Sequence, residues 1–94
     1  MVFLVERYLP DLDRDALRHA LGRIEPIVAE MRREGTTVRY LGSTIVLEDE
    51  ACFCHFEADS AAAVADANRR AGIAYHRIVA AVAVPESDRF GKED

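Results

Sequence analysis

Two thiols and an imidazole lie within four consecutive residues, Cys52-Phe53-Cys54-His55. Thiolate and imidazole are good ligands for soft and borderline metals such as zinc, nickel and copper. A closed structural zinc site needs four such ligands, and the chain has no second cysteine pair to supply them. Cysteine is also at home in an apolar core as a small hydrophobe. Alternation along a strand settles which groups can act together: Cys52, Cys54 and Phe56 share one face, and Phe53, His55 and Glu57 share the other. The thiols are therefore expected under the helices, shielded and with raised pKa values. His55, in mid-strand, needs a partner, which Glu6, Glu57 or a metal could provide. His19 falls on the polar side of its helix, and His76, beside Tyr75 and Arg77, reads as a surface residue or a peripheral ligand.

Other chemistries fit poorly. Asp11-Leu12-Asp13-Arg14-Asp15 opens like a calcium loop, but Ala16 stands where that loop needs glycine and Gly22 where it needs glutamate. Helix capping explains these residues better. Glu48-Asp49-Glu50 reads as a solvated turn. No Ser-His-Asp order, phosphate-binding glycine loop or CxxC motif is present, and Tyr8 with His55 is the one candidate acid–base pair.

The elements that position these residues follow from pattern and punctuation. Residues 2–9 read as a strand that Pro10 ends. Asp13 caps a helix, with Leu12 and Leu17 as a hydrophobic staple and Gly35 closing it. Leu17, Ala20, Leu21, Ile24, Ile27, Val28 and Met31 form one apolar stripe. Pro26 interrupts that stripe; since the stripe continues through it, a kink near Gly22 to Pro26 is expected rather than a break. Residues 36–44 and 51–57 read as strands. Ser60 or Asp59 caps a second helix, packed through Ala63, Val64, Ala67 and Ala71, that ends before Gly72. A last strand spans 75–84 and ends at Pro85. The chain thus divides into a domain over 1–85 and a polar tail over 86–94. The order β-α-β-β-α-β predicts an α+β ferredoxin-like fold: a four-stranded antiparallel sheet with two helices on one face.

Phe3, Val5, Cys52, Cys54, Phe56, Ile78 and Val82 are expected beneath the helices. The other face carries Leu4, Phe53, Val79, Ala81 and Ala83, too apolar a set for water, so two sheets should meet there in a two-fold homodimer. Glu6, Tyr8, His55, Glu57 and Arg77 share that face and would surround a polar pocket near the interface. The structural alternative is an ion-pair cluster of Glu6 or Glu57 with Arg7, Arg39 or Arg77.

The 94 residues carry 50% apolar residues and a net charge of −5. That composition suits one folded domain and disfavours binding to phosphate backbones. The opening apolar run stops at Glu6-Arg7, too short for a signal peptide or a membrane helix, and two cysteines one residue apart suit free thiols. The expectation is a cytoplasmic protein with no membrane or nucleic-acid partner.

The chain carries Leu4-Val5-Glu6-Arg7-Tyr8-Leu9-Pro10, Gly42-Ser43-Thr44, and Glu48-Asp49-Glu50 followed by Cys52-Phe53-Cys54, together with Ala67-Asn68, Ala71-Gly72 and Arg77-Ile78-Val79. Across residues 2–84 the chain resembles the small actinobacterial family of nickel-responsive, nickel-binding ferredoxin-like proteins. The resemblance implies a homodimeric α/β barrel and a capacity to bind nickel. Nickel favours imidazole and carboxylate oxygen, so Glu6, His55 and Glu57 are the expected ligands, with Cys52, Cys54 and His76 as the alternative set and zinc as a competing ion. The leading reading is a non-catalytic protein that buffers or senses nickel. The alternative is a cofactor-free monooxygenase or isomerase of the dimeric α/β-barrel type, using Tyr8, His55 and Glu6 in a cavity between sheet and helices.

Overall fold

The structure, a computed structural model, describes residues 1–9, 13–82 and 84. Its element order is β1 (Val2–Tyr8), α1 (Arg14–Leu21), α2 (Ile24–Arg33), β2 (Val38–Val46), β3 (Ala51–Ala58), α3 (Ala61–Ala71) and β4 (Arg77–Ala81). The four strands form one sheet in the order β2-β3-β1-β4, and every neighbouring pair is antiparallel. This is the expected α+β ferredoxin-like class.

The first helical layer differs from the sequence reading: the expected kink is a break. α1 stops at Leu21, and α2 starts at Ile24. The turn between them is closed by the Gly22 amide donating to the Arg18 carbonyl at 3.0 Å and the Arg23 amide donating to that of Ala20 at 3.1 Å. Pro26 then falls at the third position of a new helix. The first-turn amides of a helix have no intrahelical acceptor, so a missing N–H costs nothing there. The apolar stripe still serves a single core, since Leu17 of α1 and Ile24, Val28 and Met31 of α2 are all buried.

Strand alternation sets the two faces. Phe3, Val5, Cys52, Cys54, Phe56 and Val38 join Leu17, Val28, Met31, Val64, Ala67 and Ala71 in the core. Ile78 packs against that core as expected, whereas Val82, placed under the helices by the pattern, is 86% exposed. It lies beyond the end of β4, which is shorter than the 75–84 read from sequence. β2 begins two residues later than expected because the Thr36 amide is used to close α2, donating to the Met31 carbonyl at 2.9 Å. Between Tyr40 and Gly42 the register with β3 slips by one residue, a β-bulge in which Gly42 takes φ 116°. Pro10, Leu12, Ala83, Pro85 and the tail over 86–94 lie outside the described residues.

Both expected N-caps form. The Asp13 carboxylate accepts from the amides of Asp15 and Ala16, and the Ser60 hydroxyl accepts from the Ala63 amide at 3.2 Å. At its far end α3 closes on Gly72 in the left-handed region, φ 71°. Ser60→Ala removes the acceptor that satisfies an otherwise orphaned amide. It should destabilise the domain by about 1 kcal/mol, read as a lower urea midpoint with an unchanged slope.

Candidate functional site

Two polar groupings lie on opposite sides of the sheet. On the uncovered face, cross-strand register arranges side chains in rows. Glu57 stands beside Val2 and Arg39, His55 beside Leu4, and Phe53 beside Glu6 and Thr44, with Arg77 beyond Glu6. Two steps along a strand cover roughly 7 Å, so Glu6 and Glu57 are roughly 14 Å apart along the strands, with His55 in the row between. One ion cannot reach all three within one chain. Accordingly, no group of three or more His, Cys, Asp and Glu side chains suited to a metal is found among the described residues.

Each expected ligand has a nearer partner. Arg77 Nε donates to Glu6 Oε1 at 2.8 Å, with the Glu6 side chain 12% exposed. Arg39 lies 3.5 Å from Glu57 Oε1. These are two of the ion pairs that the sequence offered as the structural alternative. His55 Nε2 lies 3.3 Å from Thr44 Oγ1, a longer contact than a strong hydrogen bond makes. His76 sits edge-on to the Tyr8 ring with centroids 5.4 Å apart. Tyr8 lines a cleft of about 300 Å³ with Ile73, Ala74, Tyr75 and His76, and Arg77 is not part of that lining.

The second grouping is buried under the helices and centres on Arg7, which alternation places in line with Phe3 and Val5. Arg7 is 1% exposed, so it is not available to Glu6 or Glu57. Its guanidinium donates to Asn68 Oδ1, to the Ala74 carbonyl at 3.0 Å and to Cys54 Sγ at 3.4 Å. Asn68 is held in place by donating from Nδ2 to the Val64 carbonyl at 2.8 Å. Ser43 Oγ donates to Cys54 Sγ at 3.0 Å, and Tyr40 Oη lies 2.5 Å from Ser43 Oγ. Cys52 Sγ is 3.9 Å from Cys54 Sγ, and both thiols are free.

Both cysteines are buried on the helix side, as alternation predicts, but they titrate in opposite directions. The Cys52 S–H donates to Cys54, which holds the Cys52 proton in place; burial adds to the effect, and its pKa is pushed up. Cys54 receives that hydrogen bond, lies beside the Arg7 charge and accepts from Ser43. These outweigh burial and lower its pKa to about 5, contrary to the raised value expected for a thiol in an apolar core. Burial raises the Tyr40 pKa, which keeps its hydroxyl protonated as the outer donor of the chain Tyr40–Ser43–Cys54. The cysteines and His55 point to opposite sides of the sheet, so they do not form one ligand set.

The family model described as "Nickel responsive protein SCO4226-like" matches residues 3–80. The chain belongs to the SCO4226-like nickel-responsive protein family. The crystal structure of SCO4226 from Streptomyces coelicolor A3(2) superposes with a TM-score of 0.73 at 17% identity, covering 90% of this chain and 100% of that one. At that identity the match speaks to the fold alone. No curated protein matches the chain. The Leu4–Tyr8, Cys52–Cys54, Asn68 and Arg77–Val79 segments that carried the resemblance all fall inside the family match.

The acid–base set of the enzyme reading, Tyr8, His55 and Glu6, belongs to the uncovered face, away from the space between sheet and helices where such a cavity would lie. The thiol pair has a pH signature instead. A Cys54 pKa lowered in the folded chain contributes stability that is present above the unfolded thiol value and is lost as pH falls toward 5. Stability of the wild type relative to Cys54→Ala should therefore rise from pH 5 toward pH ~8.5. Above that it should level off or fall, because unfolded Cys52 ionises while the folded thiol keeps its proton. Urea titrations of both proteins across this range check the sign.

Proposed function

We propose that the chain is a non-catalytic cytoplasmic protein that binds nickel, to buffer or sense it, and does so as a symmetric homodimer. Membership of the nickel-responsive family supports the choice of ion. The observation that carries the reading is the position of His55. Its ring stands on a sheet face that no helix among the described residues covers, in the middle row, with Leu4, Phe53 and Val79 around it half-buried and one long contact to Thr44. An imidazole set in an apolar surface is well placed to become a ligand when a second surface closes over it.

The residues of one chain do not assemble a nickel site, since Glu6 and Glu57 are ion-paired in different rows. Pairing two uncovered faces about a two-fold axis brings a second His55 and four carboxylates into the same layer. Isologous contact thus supplies the ligands one copy lacks. Such donors suit nickel, and zinc competes for them. Buried free thiols fit a reducing compartment, and no helix among the described residues is long and apolar enough to cross a membrane.

Calorimetric titration of tag-free protein with nickel and with zinc tests the reading. Heat of binding and a raised melting temperature are expected, and their absence for both ions would remove it. His55→Ala should weaken nickel binding by about tenfold or more with little change in fold stability. Phe53→Glu places a charge in the proposed interface and should shift light scattering toward the monomer mass. Nickel binding that survives in the monomer would show that the site does not need a second copy.

A further inference from the structure

Beside the buried cluster, and sharing Tyr40 and Ser43 with it, a cleft of about 290 Å³ lies between α1 and β2, lined also by Arg14, Arg18, Leu21 and Ile45. Helical spacing puts Arg14, Arg18 and Leu21 on one stripe of α1. Tyr40, Ser43 and Ile45 pair in register with Phe56, Cys54 and Cys52, so they share the helix side of β2.

The arginines are the unusual feature. Arg7, Arg23, Arg32, Arg33, Arg39, Arg69, Arg70 and Arg77 each hold a carboxylate, amide or carbonyl partner. Among the described residues only Arg14 and Arg18 have none. Arg18 lies in the last turn of α1, where the helix dipole favours a cation, but the pair as a whole is not well placed. Like charges four residues apart on a helix repel, and Arg14 is the first residue of α1, where the helix dipole opposes a cation. The neighbouring Asp13 carboxylate is engaged in capping the helix. An anion between the two guanidiniums relieves both penalties and gains charge-assisted hydrogen bonds.

The rest of the lining determines what kind of anion. The Ser43 proton is directed inward to Cys54, and the Tyr40 proton to Ser43. These hydroxyls therefore present lone pairs to the cleft, and recognition of negative charge falls to the arginines. Leu21, Ile45 and the Tyr40 ring form an apolar wall, which suits a hydrocarbon or aromatic body. The volume sits near the lower end of the roughly 300–1,000 Å³ range of small-molecule pockets, enough for one ring or a short chain. We propose that the α1–β2 cleft binds a small organic anion, a carboxylate or phosphate head gripped by Arg14 and Arg18 with an apolar body against Leu21, Tyr40 and Ile45. This inference is independent of nickel binding, which concerns the opposite face of the sheet.

The test is amide chemical-shift titration of the full chain, in low-salt buffer, with benzoate, phenyl phosphate and benzyl alcohol. Saturable shifts confined to 14–21 and 40–45 with either anion, and none with the uncharged alcohol, are expected. Benzoate as the tighter probe assigns a carboxylate head, and phenyl phosphate as the tighter probe assigns a phosphate head. Arg14→Gln with Arg18→Gln, two exposed sites, should keep the circular dichroism spectrum and weaken binding by about tenfold or more, the loss expected for two charge-assisted contacts. No shifts with either anion, equal shifts with benzyl alcohol, or undiminished binding in the double variant would each overturn the proposal.

Discussion

A guanidinium inside a 94-residue domain has to be met by acceptors from several elements at once, and that requirement ties this fold together. Arg7 leaves β1 on the core side and is met by Cys54 of β3, Asn68 of α3 and the Ala74 carbonyl on the way into β4. Isolated charge in a low-dielectric interior costs many kcal/mol, so the pairing has to be present whenever the core is closed. Cys54 is the one acceptor in the set that can carry a negative charge, and its pKa is lowered. The depressed Cys54 pKa owes most to the hydrogen bond from Cys52, and the buried arginine adds its charge to the same end. Ser43 and Cys52 stabilise the same sulfur from β2 and β3. All but α1 and α2 thus contribute to, or lie beside, one charge-compensated cluster.

The sheet divides the molecule chemically as well as spatially. Because side chains alternate, Cys54 and His55 are neighbours in sequence yet work in different solvents: one in a sealed interior beside Arg7, the other on a face that no helix among the described residues covers. The soft sulfur ligands are committed to holding the core. Imidazole and carboxylate groups are left on the accessible side, which accords with the donor preference of a borderline ion such as nickel. The carboxylates there are balanced by Arg39 and Arg77, so a cation has to compete with guanidinium for them.

Most of the fold was legible from pattern alone, because strand alternation and helix caps are local signals. Asp13 and Ser60 cap the helices they were expected to cap, and Cys52, Cys54 and Phe56 take the core side. The break at Gly22-Arg23 was misread because an apolar stripe reports which side is buried, and two helices can share a stripe as well as one can. Val82 was misplaced for a related reason: alternation does not say where a strand stops. The site was less legible. Glu6, His55 and Glu57 were rightly put on one face, but face membership says nothing about rows, and rows decide whether three groups can meet. Arg7 was overlooked as a core residue although it continues the Phe3, Val5 series; its charge suggested a surface ion pair. Asn68 stands out only once Arg7 is known to need an acceptor on α3.

The break in the first helical layer has a consequence for the unmatched arginines. An unbroken helix from Arg14 to Arg33 would carry α1 and α2 along one axis and press both against the sheet. As two segments, α2 buries Ile24, Val28 and Met31, whereas α1 buries Leu17 alone. α1 is therefore the lightly anchored part of the layer, and the space between its outer turns and β2 is left unfilled by the side chains of the described residues. Filling that space with apolar residues would have joined α1 more firmly to the core. Instead the positions facing it are Arg14 and Arg18, both exposed. A proline at Pro26 thus does more than end one helix and begin another: it separates the part of the layer that builds the core from the part that borders an open, positively charged cleft.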